Sequence, residues 1–121
     1  MIIDIIKNMS FKFAVRIVNL YKYLIENKKK FVLSKQLLRS GTSIGALQCE
    51  ASQAERKTDF IHKYAIAQKE CNETIYWLTL LVETKCITKQ QYEGLLADLE
   101  ELMKMIAASI ITAKKTLIAN H

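Results

Sequence analysis

The sequence predicts an all-α chain: an antiparallel, up-down-up-down four-helix bundle forming a single domain over residues 1–121. Three observations predict it. The chain has no proline and only three glycines, whereas a strand-rich fold of this length needs many turns and draws on both residues to make them. Half of the residues are hydrophobic and a quarter are charged, enough to bury a core and too apolar for disorder. Apolar residues also recur at spacings of three and four in four successive segments, which is the period of a helix with one buried face.

The first segment runs from about residue 11 to 28. Ala14, Ile17, Val18, Tyr21, Leu24 and Ile25 share one face, with Lys12, Arg16, Asn19, Tyr23 and Glu26 opposite. Lys28, Lys29 and Lys30 follow at its end, where cations complement the helix dipole. The second helix is expected over about 34–54, with Ser34 as N-cap. Its middle carries Gly41 and Gly45 among Ser and Thr. Glycine inside a helix costs about 1 kcal/mol against alanine, so two of them imply a neighbour packed close to this backbone. Leu37, Gly41, Ile44, Gln48 and Ala51 form its inward face.

After a break near Gln53–Lys57, the third helix is expected over about 58–84, with Thr58 as cap and Asp59 at its positive end. Phe60, Tyr64, Ala67, Cys71, Ile75, Leu78 and Val82 make its main stripe. A second face carries Ile66, Glu70, Glu73, Trp77 and Leu81, which implies a further contact with another subunit. The fourth helix is expected over about 88–118, opened by Thr88 and Gln91 at capping-box spacing. Its stripe runs from Tyr92 to Leu117, and Ile111 and Ile118 widen the apolar zone. Short connections between four such helices give antiparallel neighbours.

Charge is unevenly spread. Residues 1–40 hold nine basic and two acidic side chains, a net of +7, while residues 41–121 hold nine basic and ten acidic, a net of −1. A basic end attracts polyanions. Lys12, Arg16, Lys28, Lys29, Lys30 and Lys35 are the candidate phosphate contacts, with Tyr23 an aromatic among them. Three cysteines without a CxxC pair indicate reduced thiols and a cytoplasmic protein. The uncharged stretch from Thr74 to Val82 is too short to cross a membrane, and Asp4 interrupts the apolar start.

Other chemistries lack their residues. Di-iron bundles need Glu-x-x-His pairs, and neither His62 nor His121 follows a glutamate at that spacing. The cysteines are too scattered for zinc. No Walker loop, dinucleotide fingerprint or nucleophile elbow is present. Arg56 and His62 have the spacing of an Arg–His pair in some helical ribonucleases, but Arg56 falls before the expected cap. No cofactor, metal site or catalytic residue is therefore expected. Arg39, Glu50, Glu70 and Glu73 are read as structural polar pairs, with Arg39 or Arg16 as the basic partner.

The stretch from Gln36 to Ala46, followed by Glu50-Ala51, resembles the signature of a bacterial family. So does Asp59-Phe60-Ile61-His62-Lys63, followed by Glu70, Glu73 and Tyr76-Trp77-Leu78. The family is called four helix bundle protein, or 23S rRNA-intervening sequence protein, and some members are encoded within insertions in large-subunit ribosomal RNA genes. Its motif residues match at Arg39, Ser43, Ile44, Glu50, Asp59, Phe60, Glu70 and Glu73. One departure is Leu47, where the family usually carries Asn. The resemblance implies a homopentamer and a likeness to the accessory variability protein of diversity-generating retroelements, a basic barrel that binds nucleic acid. It brings no catalytic residues.

The sequence thus points to a non-enzymatic, oligomeric protein that binds nucleic acid, RNA rather than DNA, through a basic surface. The rivals are a protein-interaction scaffold and a helical ribonuclease.

Overall fold

A computed structural model of the chain describes residues 1–120. Four α-helices follow one another: α1 (Ile2–Asn27), α2 (Phe31–Ser52), α3 (Lys57–Glu83) and α4 (Lys89–Ala119). Each packs against its successor, and α4 closes the ring against α1, with no diagonal contact. Cross-helix pairs run in opposite directions along every seam. Ile17 faces Gly41 and Ser10 faces Gly45 between α1 and α2. Ser40 meets Thr74 and Glu50 meets Lys63 between α2 and α3. Thr79 meets Tyr92 between α3 and α4. The arrangement is the antiparallel bundle that the periodicity predicts.

Three helix starts differ from the sequence reading. The first helix begins at Ile2 rather than near Phe11, because Ile6, Ser10 and Phe13 continue its buried line backward and Asp4 sits in the first turn, where a carboxylate suits the dipole. The buried line itself is rotated by one position, through Phe13, Ile17, Leu20 and Leu24. The expected Ala14, Val18, Tyr21 and Ile25 are only half-buried. The second helix begins at Phe31, three residues early. Ser34 is buried and donates to the Phe31 carbonyl at 3.2 Å instead of capping. Arg56, with extended backbone, takes the N-cap position of α3, and Thr58 falls inside the first turn. The fourth helix starts as expected: Gln91 N donates to Thr88 Oγ1 at 3.0 Å, and Thr88 N donates to Gln91 Oε1 at 2.8 Å.

The two mid-helix glycines of α2 answer to α1. A Cβ on Gly41 would lie 2.8 Å from Ile17 Cγ1 and 2.9 Å from its Cγ2. At Gly45 the nearest atom is the Ser10 carbonyl oxygen at 3.4 Å. Small residues continue the theme between α2 and α3, where Thr74 Oγ1 lies 3.0 Å from the buried Ser40 Oγ. The core comprises Ile6, Phe13, Ile17, Leu37, Ile44, Tyr64, Leu78, Leu99, Leu102 and Ile106, all essentially without solvent contact.

The second face of α3 is largely used within the chain. Leu81 is fully buried, and Trp77 is half-buried against the core with its Nε1 donating to Glu73 Oε1 at 3.3 Å. The expected subunit contact therefore loses Leu81 and Trp77 to this chain's own packing. Leu47 is partly buried and packs against the core. Large exposed apolar side chains occur instead at Phe11, Val32, Tyr76, Ile111 and Ile118. Phe11 borders a groove of about 560 Å3 between α1 and α2, floored by Gly45 and Ala46. Among the described residues, no helix is long and apolar enough to cross a membrane.

Candidate nucleic-acid interface

The antiparallel topology places the α1–α2 and α3–α4 connections at the same end of the bundle. Each turns through a lysine in the left-handed region. Lys29 has φ 55° and Lys85 has φ 62°. After α3 the chain closes with Cys86 N donating to the Leu81 carbonyl at 2.8 Å, the bond that a left-handed residue at the helix end permits. After α1 both Lys28 N and Lys30 N donate to the Leu24 carbonyl at 3.2 Å. These bonds fix the backbone of both connections and leave the lysine side chains exposed.

Lys28 from one connection and Lys85 and Lys89 from the other line one cleft of about 380 Å3, together with Tyr23, Thr88 and Gln91. Lys29 and Lys30 are exposed in the same connection as Lys28, and Lys35 is exposed in the second turn of α2. Six lysines thus meet at this end against three exposed acids, Glu26, Glu83 and Glu93. Only Lys89 has a partner among them, Glu93 at 3.8 Å, and both side chains are mostly in solvent. Tyr23, Phe31 and Val32 are exposed among the lysines, so aromatic and apolar surface alternates with positive charge.

The predicted contacts do not form one patch. Lys28, Lys29, Lys30 and Lys35 cluster at the connection end. Lys12 lies 16 residues before Lys28 on the same helix, about 24 Å along the axis at 1.5 Å per residue, and lines the α1–α2 groove beside Lys7 instead. Arg16 is already engaged: its Nη1 pairs with Asp98 on α4. Gly94 makes room for that reach, since a Cβ there would lie 3.3 Å from Arg16 Nη2. Lys85 and Lys89 were not among the sequence candidates. The available signal was topological: in an up-down-up-down bundle, the ends of helices one and three meet.

The expected polar pairs are partly rearranged. Arg39 spans Glu70, at 3.2 Å, and Glu73. The hydrogen bond from Arg39 holds the Glu73 carboxyl below the usual range, and the same bond raises the Arg39 guanidinium. Glu50 does not join them. It accepts from Lys63 at 2.8 Å, across the other end of the α2–α3 seam. Arg16 does not reach the acids of α3, because α1 borders α2 and α4 instead.

Burial pushes the Cys71 thiol up to about 12, with the neighbouring Glu70 carboxylate adding to the effect. Burial likewise raises Tyr64, only partly offset by the nearby Gln48. Arg56 holds the N-cap position of α3 without a side-chain capping bond, and His62 is exposed on that helix. Among the described residues no three His, Cys, Asp or Glu side chains come together to hold a metal.

The whole-chain pattern has known counterparts. The profile of the 23S rRNA-intervening sequence protein family matches residues 4–108. The chain belongs to that family. It is also similar to a crystal structure of a protein from the S23 ribosomal protein family of Bacteroides thetaiotaomicron, whose function is unknown. The two share 54% identity and a TM-score of 0.90, over 91% of this chain and 98% of the other. No curated protein matches the chain.

Proposed function

We propose that this family member is a non-enzymatic protein that binds RNA, in preference to DNA, through phosphate contacts at the connection end of the bundle. One observation carries the reading: Lys28, Lys85 and Lys89, drawn from two separate connections, line a single cleft, with Lys29 and Lys30 exposed in the same connection as Lys28 and Lys35 in the second turn of α2. Lysine is a point charge on a flexible stem, suited to phosphates and not to reading base edges. Affinity would therefore be largely independent of sequence and strongly dependent on salt. The family's description, which ties it to ribosomal RNA genes, favours RNA over DNA.

The assembly we infer is a cytoplasmic homopentamer, the state implied by the family resemblance. Five copies of a +6 chain would carry about +30 and present the lysine end five times, converting weak contacts into avidity. The exposed Phe11, Ile111 and Ile118 supply apolar surface for such contacts.

Fluorescence anisotropy with a structured RNA, at low and at moderate salt, tests the reading. Binding that weakens steeply with salt, and is lost when Lys28, Lys29, Lys30, Lys85 and Lys89 are changed to Glu, is the expected result. No binding at low salt would refute it and favour a protein-interaction scaffold.

A further inference from the structure

The connection-end cleft does not stop at the lysines. A second cleft, about 350 Å3, runs along the α1–α4 seam and is lined by Arg16, Asn19, Leu20, Tyr23, Gln91 and Leu95. Tyr23 and Gln91 line both clefts, so the two lie side by side across these residues. Each is of the size that holds a small ligand group, about 300 Å3 and upward. Lys28, Lys85 and Lys89 stand at one end; at the other, Arg16 is paired with Asp98. At the middle stands Tyr23, whose ring is partly open to solvent at 38% exposure.

Two amides flank that ring. Gln91 uses its Oε1 to accept from Thr88 N at 2.8 Å, which fixes the side chain and leaves its NH2 group to donate. Asn19 is exposed on the other side. The first turn of α4 is closed by its own capping box, so the cations and not the helix end would hold an anion here.

We propose that the lysine end of the α1–α4 seam is a track for single-stranded nucleic acid, in which one base stacks on Tyr23 while a flanking phosphate lies toward Lys28, Lys85 and Lys89. A cationic groove with an aromatic platform is the recurring solution for single strands, because every base has a face to stack. A duplex keeps its base faces inside the helix and cannot use the platform, although it can use the lysines. The inference rests on the proposed function and goes further by naming the form of nucleic acid and the residue that selects it.

The test compares the wild-type chain with Tyr23→Ala and Tyr23→Phe. Anisotropy is measured on single-stranded RNA of about 12 nucleotides, single-stranded DNA of the same sequence, and the blunt RNA duplex. Circular dichroism checks that both variants keep the helical fold. Tyr23→Ala should weaken both single strands by about 5-fold or more and leave the duplex unchanged, while Tyr23→Phe keeps the ring and the affinity. If Tyr23→Ala leaves single strands unaffected, or weakens duplex equally, the track is wrong while lysine-end binding stands. Wild-type binding to duplex but not to single strands would overturn the track in the same way. Absence of binding in every arm overturns the proposed function itself.

Discussion

Gly41→Ala and Gly45→Ala are the same chemical change in the same helix, yet the packing gives them opposite signs. Alanine in a helix interior gains about 1 kcal/mol over glycine. At Gly41 that gain meets Ile17, whose Cγ1 and Cγ2 would lie 2.8 and 2.9 Å from the new methyl. Ile17 is fully buried and, being β-branched, holds essentially one rotamer in a helix. It cannot turn both branches away, so α1 and α2 must move apart. Overpacking of this kind costs about 1–3 kcal/mol, which cancels the helical gain and leaves a net loss of up to about 2 kcal/mol. At Gly45 the nearest atom is 3.4 Å away, close to ordinary contact, so most of the helical gain survives. Urea denaturation at one fixed protein concentration should show Gly41→Ala less stable than wild type and Gly45→Ala equal or more stable. The two variants should differ by about 2 kcal/mol. A cycle with Ile17→Ala isolates the cause: with the isoleucine gone, Gly41→Ala should become stabilising, a coupling of about 2 kcal/mol. A Gly41→Ala variant stabilised as much as Gly45→Ala would show that Ile17 does not fix the α1–α2 distance.

Three further outcomes follow from the same geometry. Lys85→Gly should raise stability by about 1 kcal/mol, by removing a side chain from the left-handed region, while weakening RNA binding; urea melts and anisotropy report the two effects separately. With Cys71 at about 12 in the fold and near 9 when unfolded, the unfolded chain releases that proton first on going alkaline. Stability should fall as pH rises above about 9, by at most ~1.4 kcal/mol per pH unit from this group, and Ellman's reagent at neutral pH should find only the exposed Cys49 until denaturant is added. Glu73 behaves oppositely: its lowered carboxyl means the unfolded chain takes up the proton first, so stability falls below about pH 4.5, and Arg39→Ala, which removes the pairing, should flatten that acid limb in a series of thermal melts.

Periodicity made the fold legible because helices bury one face. The inward face of α2, from Leu37 to Ala51, is buried as read, and the stripe of α4 is buried at Leu95, Leu99, Leu102, Ile106, Ile110 and Ala113, with Tyr92, Leu96, Met103 and Leu117 half-buried. The start of α1 was not legible in the same way. Ile2, Ile3, Ile5 and Ile6 form a dense apolar cluster with no cap before it, and only contact with the rest of the bundle decides that it is helical. Ser34 illustrates a second limit. A serine ahead of an apolar run has two uses, as a cap or as a small buried residue donating to its own helix, and tertiary packing chose the second. The functional end was half legible. The run from Lys28 to Lys30 stands out in sequence, whereas Lys85 and Lys89 are inconspicuous until the topology brings them alongside. Arg16 looks free in the sequence because Asp98 is 82 residues away, and only the α1–α4 seam joins them.

The most direct test of the account is whether the two connections act as one site. The measurement is RNA affinity against salt concentration for wild type and for Lys85→Glu/Lys89→Glu, the pair contributed by the α3–α4 connection. A shared site predicts weaker binding and a logarithmic salt slope shallower by about 1.4, at about 0.7 for each phosphate of a single strand that is no longer neutralised. Unchanged affinity and slope would contradict it, leaving the cleft between the two connections without a role in binding.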